Sequence, residues 1–347
     1  MAKLKVLILF GGTSVGNEHS IRSAAAVIRT LSDEKYELVP LGISKKGRWL
    51  YFPGDISEIE NGCWEQNPDC SPAILSPDPA HRGILVLEDD TYSLKRIDII
   101  FSLLHGDHGE DGAIQGLCEL SNIPYIGNGI LSSAICRNKA MTHQVLNASG
   151  IRTPKWYAIQ QRDLNRLDAK CEDVEHALSY PMFVKPSSAN AAKGTAAAHS
   201  REELQKAIKL AFTQDTTVLV EQLVEGRELR IAVFGYDMPF ASFVGEIIKD
   251  ETGADKFIVP TEIDDTTHSI IREIAIQAFS ALECHELALF DFFYAANGEI
   301  LLGEVNTIPS LSEQDAYPLL MNDLGMRYSY LLDKLIEQAL EHAERDF

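Results

Sequence analysis

Apolar residues follow two rhythms along this chain. The run Leu4 to Phe10 is apolar apart from Lys5 and ends in Gly11-Gly12, the pattern of a short buried strand. After it, Ile21, Ala24, Ala25 and Ile28 recur at helical spacing. Strand, glycine turn and helix in that order predict a parallel α/β unit. Further strands are predicted over YELVPLGIS and IDIIFSLL, then a tight loop at Gly106, Gly109 and Gly112 and a helix from about Ala113 to Leu120. Residues 51–93, rich in Pro, Gly and Asp, read as a surface excursion. Residues 1–128 together read as a doubly wound α/β domain.

The middle of the chain reads differently. A helical segment contains Lys139 and ends near Gly150, a C-cap residue. YPMFVKP is a short strand, SSANAAKG a loop of small residues, and REELQKAIKLAF an amphipathic helix. TTVLVEQ and RELRIAVFG are two strands around a turn at Glu225-Gly226. A closing helix spans roughly residues 325–343, with Leu331, Leu332, Leu335, Ile336, Ala339 and Leu340 on one side. The expected division is 1–128, 129–215 and 216–347.

Composition narrows the class. The 347 residues carry 31 basic and 51 acidic side chains, a net charge of -20. Such a surface repels nucleic-acid backbones and anionic lipid, so neither is an expected partner. Six scattered cysteines show no metal or redox spacing and fit a reduced, cytoplasmic protein. The N-terminal apolar run is too short for a signal peptide.

Chemistry concentrates near the C-terminal end, in LALFDFFYAANGEILLGEVNTIP. Asn297-Gly298 between two apolar runs predicts a hairpin with a two-residue type I′ turn. On that register Asp291 faces Glu304 and Leu289 faces Asn306, all four on one side. Directly opposed carboxylates repel, and partial burial sharpens the penalty. A divalent cation removes it. An oxygen-only set of Asp291, Glu304 and Asn306 suits Mg²⁺, which also takes phosphate oxygens.

Two lysines complete a phosphate site. Lys185 ends an apolar strand and precedes the small-residue loop, where backbone can approach phosphates. Lys139 sits at a helix start. Glu221-Gln222-Leu223-Val224 can present backbone edges to a purine, with Glu228 placed to accept from ribose hydroxyls.

These blocks together resemble the D-alanine–D-alanine ligase family of the ATP-grasp superfamily. HGDHGEDGAIQGLCELSNIPYIGN, SAICRNKAMT, YPMFVKP, LVEQLVEGRE and DFFYAANGEILLGEVNTIP carry the resemblance, which covers nearly the whole chain. Its relatives include the vancomycin-resistance ligases that make D-Ala–D-lactate or D-Ala–D-Ser. The resemblance implies three domains, ATP held between two antiparallel sheets, and a homodimer. It implies a ligase that phosphorylates a carboxylate with ATP and lets an amine attack the acylphosphate. The family's nucleotide positions fall on Lys139, Lys185, Glu221, Gln222, Val224 and Glu228, and its metal positions on Asp291, Glu304 and Asn306.

The substrate positions depart from the family pattern. Gly16 stands where the family places a donor-binding Glu, with Glu18 two residues on. Leu289 occupies the place of an oxyanion-stabilising Arg, and Asp315 that of a serine that binds the acceptor carboxylate. Ser310 replaces the glycine whose backbone donates, and Lys193 in the phosphate loop is the candidate substitute cation. His105 lies in the loop that lines the family's acceptor pocket. At about 4 Å, Asp315 would repel a carboxylate by about 4 kcal/mol at an effective dielectric of 20. The reading is therefore a ligase with a diverged substrate pair. A true D-Ala–D-Ala or D-Ala–D-X enzyme of peptidoglycan synthesis, or an ATP-binding homologue without turnover, are the alternatives.

Overall fold

The computed structural model describes residues 3–188, 194–249 and 253–346. The first sheet starts with β1 (Leu4–Gly11), followed by helix α1 (Asn17–Thr30) and β2 (Tyr36–Ile43). Next come β3 (Trp49–Tyr51), a short helix α2 (Ile56–Glu60), β4 (Ser71–Leu75), β5 (Gly83–Leu87), β6 (Tyr92–Arg96) and β7 (Ile99–Ser102). The order is β6-β5-β4-β3-β2-β1-β7, with β1 parallel to both β2 and β7. Residues 51–93 are thus not a surface excursion. They contribute strands that extend the sheet antiparallel, because Ala73 and Leu75 on one strand and Ile84 and Val86 on the next are buried in alternation.

Both faces of this sheet are covered. Alternate β1 residues divide between them: Val6, Ile8 and Phe10 pack with Ala24 and Val27 of α1, while Leu7 and Leu9 pack with Ile114 and Cys118. The last two belong to α3 (Ala113–Ser121). Two helices, α4 (Ile130–Arg137) and α5 (Lys139–Ala148), lead out of this part. Asn138 caps α5 by accepting from Met141 N–H, and Gly150 beyond its end has a φ of 78°.

The second sheet holds β8 (Trp156–Gln160), β9 (Met182–Pro186), β10 (Ala196–Ala198) and β11 (Thr217–Gln222), in the order β10-β9-β11-β8 and antiparallel throughout. Helices α6 (Leu167–Ala177) and α7 (Arg201–Ala211) close its core through Cys171, Val174, Leu204 and Ile208.

The third sheet is built from β12 (Gly226–Gly235), β13 (Phe240–Ala241), β14 (Gly245–Lys249) and β15 (Asp255–Ile258). Helix α8 (Asp265–Ala281) precedes its last strands, β16 (Glu286–Ala295) and β17 (Ile300–Asn306). Helix α8 covers one face with Ile271, Ala275 and Phe279 against Leu229, Ile231, Phe290 and Phe292. Helices α9 (Ala316–Asp323) and α10 (Tyr328–Asp346) follow. Leu331, Leu332 and Leu335 of α10 share a core with β1 and α1, so the chain's end closes over its beginning.

The β16–β17 hairpin differs from expectation at its turn. Gly298 has a φ of 85°, but Asn297 is not in the left-handed region, so the turn is not type I′. Gly298 N–H donates to Ala295 O and Ala295 N–H to Glu299 O, a loop one residue longer. Tyr294 consequently pairs with Ile300, one residue out of the expected register. A bulge at Gly303, between Asp291 and Phe292 on the partner strand, takes up the difference. Beyond it Asp291 pairs with Glu304 and Leu289 with Asn306, the partners the sequence predicts.

Candidate active site

The alternation of β12 and β16 assembles the site. Glu228, Arg230 and Ala232 point to the same side as Leu289 and Asp291, while Leu229, Ile231 and Phe290 point into the α8 core. Arg230, Asp291 and Glu304 therefore form one row across three neighbouring strands. Arg230 Nε lies 3.0 Å from Asp291 Oδ1, and its Nη2 donates to Oδ2 at 3.1 Å. At the other end of the row, Lys139 Nζ is 3.1 Å from Glu304 Oε1. Two cations thus bracket two carboxylates.

The carboxylates respond unequally. Burial, partly offset by Arg230 and reinforced by Glu304, pushes Asp291 up to about 6. Burial also opposes the charge of Glu304, but Lys139 and Lys185 outweigh it and hold that carboxyl below its usual range. Both side chains keep solvent access, 36% and 42%. The donor set fits Mg²⁺: every ligand atom is oxygen, and Asp291 Oδ1 is left without a hydrogen bond because Arg230 Nε approaches it off-axis. Asn306 Oδ1 accepts from Ile308 N–H at 3.0 Å, which fixes the amide beside the pair.

Behind this row lies a buried charge cluster. Lys185 Nζ is 2.7 Å from Glu221 Oε2, and His143 Nε2 is 2.6 Å from Glu221 Oε1. Burial works against the Glu221 charge, yet Lys185 and His143 hold the carboxyl below its usual range. His143 escapes sequence reasoning, because a lone His inside a helix carries no signal until β11 is seen to pass beside it. Lys139 N–H donates to Ser187 O, tying the start of α5 to the end of β9. At the end of β11 Gln222 N–H donates to Lys155 O, and just beyond it Leu223 N–H donates to Pro181 O. Those two donors serve the protein, and Val224 follows them half-buried. Glu228 is exposed and shares its face with Arg230.

Three of the positions expected to meet substrate or take part in catalysis, Leu289, Ser310 and Asp315, line a pocket of about 340 Å³. His19, Arg230, Asp291, Glu304 and Asn306 line it with them. Asp315 Oδ2 accepts from Ser312 N–H at 3.0 Å. His19 lies close enough to Asp315 to feel its charge, although burial and Arg22 dominate and lower the His19 pKa. Glu18 is exposed on the first turn of α1 and does not line this pocket. His105 is buried, with Nδ1 3.5 Å from Glu110, whose partner Arg137 also reaches Asp107 at 2.6 Å. Gly16 packs directly on it: a Cβ there would sit 2.6 Å from His105 Cβ and 3.0 Å from its carbonyl. Lys193 lies outside the described residues. Lys249 is paired with Asp255 on the next strand.

Arg230 is the other residue the sequence reading passes over. It stands in RELRIAV, where alternation alone makes it an ordinary outward residue. Only the β12–β16 register, with Arg230 opposite Asp291, brings it into the site.

Two family models match the chain, D-ala D-ala ligase N-terminus over residues 5–128 and D-ala D-ala ligase C-terminus over residues 145–337. A D-alanine–D-alanine ligase of Thermoanaerobacter sp. (strain X514) is 38% identical, with 99% of each chain covered. Among solved structures, the VanG D-Ala:D-Ser ligase of Enterococcus faecalis superposes with a TM-score of 0.91 at 33% identity, over 97% of this chain and 100% of that one. The D-alanine–D-alanine ligase of Coxiella burnetii gives 0.87 at 30% identity, over 100% and 96%.

Proposed function

The chain belongs to the D-alanine–D-alanine ligase family, and we propose that it joins a carboxylate to an acceptor unlike a plain amino acid at the end Asp315 faces. It is an ATP-grasp ligase forming C–N bonds, with ATP and Mg²⁺ as cofactors. ATP would supply the phosphoryl group that activates the carboxylate, and Asp291, Glu304 and Asn306 would hold Mg²⁺, which would supply positive charge toward the phosphates. Lys139 and Lys185 would hold phosphate oxygens. Glu221 orients Lys185 through its 2.7 Å ion pair, and Glu228 would take the ribose.

The observation that carries the proposal is the position of Arg230. With Leu289 apolar, the guanidinium beside Asp291 is the arginine that lines the pocket, and it is the donor available there to stabilise negative charge that develops during acyl transfer. Asp315 lies in the same pocket, where an incoming carboxylate is repelled and an amine or guanidine attracted. A second reading is a D-Ala–D-Ala or D-Ala–D-Ser ligase. It is favoured by the names of the relatives, whose lengths this chain matches almost fully. Phosphate release separates the two. Protein and Mg²⁺-ATP are incubated with D-alanine alone, with D-alanine plus D-serine, and with pools of carboxylates plus polyamines or basic amino acids. Turnover only in the last set supports the proposal, and turnover with D-alanine alone refutes it.

We further place the lobe boundaries near residue 128 and just after β11, rather than at 215, since β11 completes the second sheet. A cytoplasmic homodimer is part of the same proposal, and sedimentation velocity tests the assembly. Among the described residues no helix is long and apolar enough to cross a membrane.

A further inference from the structure

A second pocket, of about 500 Å³, opens between residues 122–132, the start of β16 and the end of α10. Its lining carries the carboxylates of Glu119 and Glu283 and, among the described residues, no lysine or arginine. Beside it His285, Glu286 and His342 converge, each offering one ligand atom, all within 4.8 Å of one another. The ligase chemistry uses none of the three.

Glu286 is the anomaly of the group. It is fully buried, and its φ of 62° lies in the left-handed region that disfavours a side chain. Gly127 N–H donates to its Oε2 at 2.6 Å, but Oε1 is buried without a hydrogen bond. Burial drives its pKa well above the ordinary range against the pull of the Gly127 amide. A strained backbone and a half-satisfied buried carboxyl on one residue are two separate penalties, and such penalties persist where a site is served.

We propose that His285, Glu286 and His342 form a site for a borderline divalent cation of the Zn²⁺ type, with its remaining position open to the pocket. Two imidazoles and one carboxylate are the donor mix such an ion takes, whereas Mg²⁺ and Ca²⁺ prefer oxygen alone. The hairpin's oxygen-only site and this one therefore separate by chemistry. The cation gives the Glu286 carboxylate the neutralising partner it lacks. Ligation through His285 costs the bond its Nε2 accepts from Gly129 N–H at 3.2 Å, because a neutral ring has one lone pair. The rings are already gathered: His285 and His342 meet edge-on with centroids 5.0 Å apart, and Tyr236 packs 3.9 Å from His342.

The test uses the full chain, stripped with chelator and kept in saturating Mg²⁺-ADP to occupy the nucleotide site. Zn²⁺ is added, excess is removed by gel filtration, and bound metal is counted. Co²⁺ in its place reports coordination by its visible spectrum. The proposal requires one retained equivalent, intense bands of low coordination number, and an affinity loss on the order of 10-fold or more in His342→Ala and Glu286→Gln. Asp291→Asn must leave the equivalent in place. No retained Zn²⁺, or equal retention in His342→Ala, overturns the proposal. His342 lies half-exposed on α10, so that variant decides the matter even if Glu286→Gln fails to fold.

Discussion

Arg230 and Lys139 hold Asp291 and Glu304, the carboxylates proposed for the metal, from opposite ends, so each would compete with an incoming cation for the same oxygens. On the role proposed for Arg230, replacing it with Met removes the donor that would stabilise developing charge, so kcat is expected to fall roughly 10²–10³-fold. Mg²⁺ should bind at least as tightly, because Asp291 loses a competing partner. Steady-state ADP release at varied Mg²⁺ measures both, and an unchanged kcat removes Arg230 from the reaction. Glu221 makes a different prediction. Its carboxyl is held below its unfolded value by Lys185 and His143, so it contributes stability above the normal carboxylate range and loses it as pH falls through the lowered value. Glu221→Gln leaves Lys185 buried and unpaired, at a cost of about 3 kcal/mol near neutrality. In urea unfolding, the gap between the two proteins should narrow steadily below about pH 4. The residues found from sequence were those whose type clashes with their surroundings, such as Asp291 in LALFDFFYA. Arg230 and His143 clash with nothing locally, and their roles exist only once a neighbouring element is placed.

At the scale of elements, the hairpin shows how a wrong turn can lead to right partners. The longer loop displaces the register by one residue and the Gly303 bulge restores it, so the opposition of Asp291 and Glu304 is preserved. Substitution separates the two turn geometries. Gly298 has positive φ and open space around it, so Gly298→Ala should cost about 1 kcal/mol from backbone strain alone. Asn297→Ala should cost less than half of that, since a type I′ turn alone would penalise both positions. Chemical denaturation of the two variants gives the comparison. The misreading of residues 51–93 has a related cause. Their strands are short and only alternate residues of them are buried, so turn residues dominate the composition while a few alternating apolar side chains define the pairing. Long periodic elements, such as α10, were legible because burial repeats along them.

For the molecule as a whole, α10 matters most. Its leucines complete the core around β1, at the opposite end of the sequence, and the same helix carries His342. Leu335 is fully buried there, so Leu335→Ala should cost about 3 kcal/mol. Thermal unfolding followed at the N-terminal Trp64 environment should shift with the rest of the protein, because first and last elements share one core. Two separated transitions would contradict that coupling. The expectation of three domains came from the family resemblance, while the strand, glycine turn and helix that open the first sheet were legible from the order of apolar patterns. The crossing of the C-terminus back to β1 was not, since periodicity says which face is apolar and not what it meets.

The contact between Gly16 and His105 sets a condition on any attempt to place a side chain at position 16. A Cβ there collides with both the Cβ and the backbone of residue 105. Every residue larger than glycine meets the same obstruction, so Gly16→Glu is expected to be accommodated only together with a displacement of the backbone around His105.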